Sequence, residues 1–454
     1  MNFASVNPYT EETLATYDFI SDDVLWQQVE HANQAQKNWR KVDISKRIQF
    51  IQKLGQLLKD QHEELALLAT LEMGKPFAEA KLEVLKCARG CEYYAAQAQN
   101  LLTPKSSVAE TGKTVTLNYE PLGVILGVFP WNFPYWQILR SAIPTIIAGN
   151  AMLVKPAPNV PQCSLAIQQI INDCGLPHGV LQVIFANEHQ VAQILGDNRI
   201  KAATLTGSEK AGSAVASMAA KHIKKSVLEL GGSDPFIVLD DADLTATLNQ
   251  AIVARFQNNG QSCIAAKRFI LHRSIAQDFL QQLQQKVAAL VCGNPQESST
   301  QIGPLARLDL KEKLAQQVDT SIAQGATLFY QQVDIPKTGY FYPPTILTNI
   351  PSQSVAYTEE LFGPVISVFV VDTDEEAIFI ANDTEFGLGA SVWSKDITRA
   401  LAIAKEMESG QVFINEMVKS QPGNPFGGVK KSGYGRELGE YGLYEFCNIK
   451  AIWL

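Results

Sequence analysis

Cys263 follows the polar run Asn258-Asn259-Gly260-Gln261-Ser262 within Arg255–Ala266, RFQNNGQSCIAA. A cysteine that only packs usually has apolar neighbours. One exposed on a polar turn can act as a nucleophile where its surroundings favour the thiolate over a free pKa of about 8.5. A protease-like Cys–His pair is the rival chemistry, but His272 lies beyond a strand-like run, where a satisfied or exposed histidine is the simpler reading. Two other stretches suit chemistry. Pro130-Trp131-Asn132-Phe133-Pro134 encloses an asparagine between prolines and aromatics, a rigid loop that can hold one amide fixed. Thr206-Gly207-Ser208 opens a helix, whose free N–H groups can receive a phosphate.

The elements that must position these residues read as follows. Ser21–Trp39 and Ile44–Glu72 are amphipathic helices; in the second, Ile44, Ile48, Ile51, Leu54 and Leu58 recur at steps of three and four. Gly74-Lys75-Pro76 ends it, and a third long helix is predicted over Ala78–Leu101. Val115–Glu120 alternates as a strand, isolated in sequence. From Leu122 short apolar strands (124–129, 151–154, 180–185, 202–205, 227–230) alternate with helices (138–148, 161–174, 191–195, 209–221). That pattern implies a parallel α/β sheet covered on both faces. A second α/β series begins at Phe236–Leu239 and continues through Val365–Val371, Ala390–Trp393 and Val412–Ile414. A helix over 246–256 leads into the cysteine turn, and a strand over 268–271 leads out. Ligands of open sheets lie beyond the carboxyl ends of the strands. PWNFP, Lys155-Pro156-Ala157-Pro158 and Thr206-Gly207-Ser208 all fall there. No GxGxxG follows a strand, and Gly433-Tyr434-Gly435 reads as a turn near the C-terminus.

Length and composition bound the rest. A chain of 454 residues exceeds one ordinary core, so two or three domains are expected. With 46% hydrophobic residues and a net charge of -8 it reads as soluble, with neither nucleic acid nor a membrane surface as partner. No leader or spanning segment is read at the start. The seven cysteines lack zinc-like spacing, so no metal is expected, and Cys87 and Cys91 read as packed thiols. A reducing cytoplasm suits this usage.

Set in order, PWNFP at 130–134, KPA at 155–157, TGS at 206–208, ELGG at 229–232, NNGQSC at 258–263, EELFGP at 359–364 and PFGGVKKSGYGRE at 425–437 form one pattern. Over essentially the whole chain it resembles the aldehyde dehydrogenase superfamily, most closely its succinate-semialdehyde branch. The resemblance implies an aldehyde dehydrogenase-like α/β fold. Its Rossmann-type cofactor domain would span 1–108 and 127–229, and its catalytic domain 230–423. A small β oligomerisation arm (109–126 and 424–454) would be completed by another subunit in a homodimer or homotetramer. It also implies that Cys263 attacks the aldehyde carbonyl to form a thiohemiacetal. The Asn132 amide and the Cys263 N–H would hold the oxyanion, and Glu229 would activate the water that hydrolyses the thioacyl-enzyme. An acylating dehydrogenase that uses coenzyme A, and a non-catalytic structural member, are the rivals. Retention of Glu229 and of all three catalytic residues speaks against them.

By the same resemblance the cofactor site takes Trp131, Asn132, Lys155, Ala157, Pro158, Gly207, Ser208, Leu230, Glu360 and Phe362. Many NAD-using relatives carry a glutamate where Pro158 stands. Proline neither accepts from the ribose hydroxyls nor repels a 2′-phosphate, and Lys155 can pair with one. NADP is therefore the expected cofactor with NAD as an alternative, although Glu209 nearby argues the other way. Arg140 stands where semialdehyde-oxidising relatives bind the distal carboxylate, which a planar guanidinium can grip by both oxygens. Trp136 would wall the channel and Ser420 would donate a second bond. Some such relatives carry a second arginine before the cysteine turn, where this chain has Gln257 and Asn258, so glutaric semialdehyde or a broad aliphatic aldehyde stays open as substrate. Others pair the nucleophile with a neighbouring cysteine as a redox lock. Ile264, Ala265 and Ala266 follow here, and no such switch is expected.

Overall fold

The computed structural model describes residues 2–454. It bears out the α/β expectation, with two large mixed sheets and three small ones. In the first large sheet five parallel strands lie in the spatial order Lys225–Glu229, Ile200–Thr206, Val124–Val128, Ala151–Lys155, Leu181–Val183. The first of these in sequence, 124–128, sits between 151–155 and 200–206, so the winding reverses between it and 200–206. Such a reversal opens a crevice at the carboxyl ends. PWNFP lies just past the first of these strands, and Gly207-Ser208 follows Thr206 at the end of the second.

The second large sheet orders Thr327–Gln331, Thr345–Thr348, Val365–Val371, Ala266–His272, Asp234–Val238, Ala390–Trp393 and Val412–Ile414, parallel except at the 327–331 edge. Cys263 enters its central strand, 266–272, from the amino end. The central strands of both sheets are buried along most of their length, as strands covered by helices on both faces must be.

Several sequence expectations are corrected. The long helix predicted over 44–72 is two helices, Ile44–Asp60 and His62–Met73, broken at Gln61, whose φ of -105° and ψ of 13° leave the helical region. Helical periodicity continues across the break, so the pattern of apolar residues does not reveal it. Val115–Glu120, isolated in sequence, finds partner strands within the chain. Within Thr114–Pro121 it pairs with Cys447–Trp453 and Lys105–Val108 of the same chain in a three-stranded sheet. Gly433-Tyr434 is a strand rather than a turn, antiparallel to 225–229, with Gly433 opposite Glu229. An N-terminal hairpin, Phe3–Val6 with Thr13–Tyr17, was not predicted. Ala4 N–H donates to the Pro158 carbonyl at 2.9 Å and ties this hairpin to the 155–158 loop. No helix among the described residues is long and apolar enough to cross a membrane.

Candidate active site

The Asn258–Ser262 run is not an exposed turn. Asn259 and Gln261 are fully buried, and Asn258 and Ser262 nearly so. Three successive left-handed residues, Asn258, Asn259 and Gly260 (φ 56°, 58° and 73°), coil it tightly. Asparagine and glycine are the residues that tolerate this conformation. At Gly260 an added Cβ would lie 2.6 Å from the Gly363 carbonyl. The polar side chains face inward because each meets the backbone of another loop. Asn259 Nδ2 donates to the Gly74 and Pro304 carbonyls at 2.9 Å, and its Oδ1 accepts from Gly303 N–H at 2.7 Å. Gln261 Oε1 accepts from Ala306 N–H at 3.0 Å. Buried Arg255 reaches the carbonyls of Gly260, Leu361, Gly363 and Val365, joining the cysteine turn to the 359–364 loop. Lys267 Nζ donates to the Ser262 and Cys263 carbonyls, both at 2.8 Å, and lies 3.1 Å from Glu360 Oε1.

Asn132 is fixed against this turn. Its Nδ2 donates one proton to the Gln261 carbonyl at 3.1 Å, which leaves the second free. Asn258 Nδ2 bridges the Asn132 and Gln261 carbonyls at 2.8 and 2.9 Å. Both loops are also held by the Phe77–Leu102 helix. Glu79 Oε2 accepts from Asn258 N–H at 2.5 Å, and Glu83 Oε1 accepts from Tyr135 and Trp136 N–H at 2.8 and 3.0 Å. The other Glu83 oxygen pairs with buried Lys75, whose ammonium sits 4.1 Å from the Phe133 ring centroid. Burial raises the Glu79 carboxyl to about 7 despite its bond from Asn258.

One cavity, with about 840 Å3 of empty space, opens at the reversal of the first sheet. Its wall includes Cys263, Asn132, Trp131, Gly207, Ser208, Leu230, Glu360 and Phe362, which are drawn from both large sheets. Trp131 and Phe362 meet edge to face with centroids 5.8 Å apart. Ser208 caps the Glu209–Lys221 helix, whose N-terminus therefore borders the cavity. Lys155 ends the adjacent parallel strand and Ala157 and Pro158 follow it, none of them lining this space; Ala157 is buried and Pro158 exposed. Cys263 is half-buried, and burial pushes its thiol up to about 11, with Arg140 and Lys267 pulling it back down. His272 stands at the far end of the Ala266–His272 strand, roughly 20 Å of extended chain away, where its nitrogens meet Ser274 and the Asp372 carbonyl. That geometry removes the Cys–His reading.

Glu229 lies behind the cavity, not in its wall. Its carboxyl is buried without a hydrogen-bond partner, and a Cβ at Gly427 would come within 2.8 Å of it. Burial first, and neighbouring Glu437 second, raise it well above the usual carboxylate range. Arg140 is buried beside an acid. Its guanidinium is not an open fork. Nε lies 2.5 Å from Glu437 Oε2, Nη2 donates to Thr206 Oγ1 at 3.3 Å, and the group stacks 4.9 Å from the Phe426 centroid. Glu437 is buried with it and answers its charge. Trp136 Nε1 donates to Ser420 Oγ at 3.1 Å, so those two residues do meet. Glu79, Glu83, Arg255 and Lys267 were not found from the sequence.

A doubly wound sheet whose crevice meets a half-buried cysteine from a second sheet suits an oxidoreductase that sets a dinucleotide beside a thiol. A sequence profile of the aldehyde dehydrogenase family matches residues 1–452, and the chain belongs to that family. It catalyses NAD(P)-dependent aldehyde oxidation. A Synechocystis protein named a probable succinate-semialdehyde dehydrogenase (NADP+) is 46% identical over the full length of both chains. An Escherichia coli succinate-semialdehyde dehydrogenase (NAD(P)+) is 43% identical, covering 99% of this chain and 97% of its own. The structure of a Streptococcus pyogenes succinic semialdehyde dehydrogenase in complex with NADP+ superposes with a TM-score of 0.98 at 36% identity, covering 100% of this chain and 99% of that one.

Proposed function

We propose that the chain oxidises succinic semialdehyde to succinate with NADP+, through a thioacyl intermediate on Cys263. The observation that carries the reading is the convergence of Cys263 and Asn132 on one cavity that Trp131, Gly207, Ser208, Glu360 and Phe362 also line. The Cys263 sulfur adds to the carbonyl carbon, and the free Asn132 amide proton and the Cys263 N–H receive the oxyanion. Glu229, after losing its proton, takes one from the water that cleaves the thioester. The residues present fit a dinucleotide. A Cβ at Gly231 would meet Glu360 Oε2 at 2.6 Å, Trp131 and Phe362 frame an aromatic slot, and a helix N-terminus borders the cavity. Trp131, Asn132, Gly207, Ser208, Leu230, Glu360 and Phe362 would hold it, with Lys155, Ala157 and Pro158 at its adenine end. When bound it accepts the hydride.

An assay of NADP+ reduction with succinic semialdehyde, glutaric semialdehyde and butanal, with and without coenzyme A, tests the reading. Succinic semialdehyde is expected to give the highest kcat/KM without any need for coenzyme A. Its margin over glutaric semialdehyde is limited to the roughly 1–3 kcal/mol that one methylene is worth. A higher kcat/KM for butanal, or strict dependence on coenzyme A, would refute it.

Cofactor choice rests on Pro158, exposed beside half-buried Lys155. Pro158→Glu is expected to shift the kcat/KM ratio toward NAD+ by about tenfold, because the new carboxylate repels a 2′-phosphate and accepts from ribose hydroxyls. An unchanged ratio would show that the preference is set elsewhere. The three-stranded sheet, with Ile449, Ile452, Trp453 and Leu454 exposed, is read as the contact of a homodimer or homotetramer. A monomer in sedimentation at assay concentration would contradict this.

A further inference from the structure

Lys267 is buried at the start of the Ala266–His272 strand and does not line the cavity that holds Cys263. An ammonium carries three protons. Three acceptors take them here: the Ser262 and Cys263 carbonyls, both at 2.8 Å, and Glu360 Oε1 at 3.1 Å. The Ala265 carbonyl is more distant, at 3.4 Å. No donor is left over for a ligand, so this lysine acts on the reaction through the groups it holds.

Two of those groups are consecutive carbonyls of the nucleophile's own backbone. The Ser262 carbonyl and the Cys263 N–H belong to one planar peptide unit, which is trans, so they point in opposite directions. A cation fixed on the carbonyl side therefore fixes the direction of the N–H on the other side. Its charge also draws electron density onto the carbonyl oxygen, which makes the N–H a stronger donor. Ala265 N–H reaches the same oxygen at 3.2 Å and adds to both effects. The following peptide is held too, because an added Cβ at Gly232 would lie 2.5 Å from the Cys263 carbonyl oxygen. Arg255, Asn258 and Asn132 grip the Gly260 and Gln261 carbonyls, which belong to earlier peptides of the turn. The unit that carries the Cys263 N–H is held by Lys267.

We propose that Lys267 is a positioning residue for oxyanion stabilisation: it orients and polarises the Ser262–Cys263 peptide, so that the Cys263 N–H meets the oxygen that gains charge when the sulfur adds to a carbonyl. As the C–S bond forms, the carbonyl π pair moves onto that oxygen, and no proton need move in the step. This rests on the reading of the Cys263 N–H as an oxyanion donor beside the Asn132 amide. The third Lys267 bond, to Glu360, ties the same ammonium to a residue of the cavity wall.

The test compares two electrophiles on the cofactor-free enzyme at one pH, with rates on Cys263→Ala subtracted as background. p-Nitrophenyl acetate acylates the thiolate through a tetrahedral oxyanion that collapses by expelling nitrophenolate. Iodoacetamide alkylates it by displacing iodide from a saturated carbon, with no oxyanion. Burial raises this thiol, and Arg140 and then Lys267 lower it, so loss of Lys267 also changes the thiolate fraction. The ratio of acylation to alkylation cancels that change. Lys267→Met is expected to lower the ratio by about tenfold. Asn132→Ala, which removes a donor outright, is expected to lower it by about 10^2- to 10^3-fold. Lys267→Gln keeps a polar group in the buried position and should fall between wild type and Lys267→Met; it carries the test if the methionine variant does not fold. An unchanged ratio in the lysine variant beside a lowered one in Asn132→Ala would overturn the proposal and leave the oxyanion reading standing. Unchanged ratios in both would remove the oxyanion reading and the proposal with it. A fall in the lysine variant alone would uphold the proposal and strike Asn132 from the pair of donors.

Discussion

Replacing Cys263 by alanine is expected to reduce aldehyde oxidation by on the order of 10^4-fold or more, while leaving NADP+ binding and thermal stability close to wild type. The side chain is half-buried and contributes little packing beyond its sulfur, so the loss falls on chemistry. Thiol alkylation gives a finer test. With the thiol raised to about 11, alkylation by iodoacetamide in the free enzyme should be slow at neutral pH and gain about tenfold per pH unit toward that value. A flat alkylation profile near neutrality would mean that Arg140 and Lys267 win over burial and hold a resting thiolate.

Glu229→Gln is expected to separate the two halves of the reaction. Deacylation should slow by on the order of 10^2- to 10^3-fold, the range lost with a general base. Rapid mixing should show a burst of NADPH near one equivalent per active site, followed by a nearly flat phase. In wild type burial first, and Glu437 second, raise the Glu229 carboxyl, so the base form of Glu229 grows as pH rises and hydrolysis should accelerate with it. Loss of the burst in the variant would show that Glu229 acts before hydride transfer.

The parts of this site legible in the sequence are those whose signal is local. Asn258-Asn259-Gly260 announces a turn, and Gly207-Ser208 follows an apolar strand. Exposure was misread at the same place. A run of polar residues looks solvated until its partners are known, and those of Asn259 lie at Gly74, Gly303 and Pro304. Lys267 and Arg255 were missed because both bind backbone carbonyls, which carry no residue type for a pattern to register. The ion pair of Arg140 went unread because Glu437 lies far off in sequence, in the run 425–437.

Glu79 and Glu83 stand one helical turn apart, yet they grip segments separated from them by 179 and 52 residues. Contacts that close such long stretches of chain form late, because the entropy of bringing distant segments together opposes them until other structure has formed. Asn132 and Cys263 therefore reach their working distance only once the two sheets have folded and docked across one helix. Recovery of activity in refolding reports that docking, and not the earlier regain of helix or strand in either half.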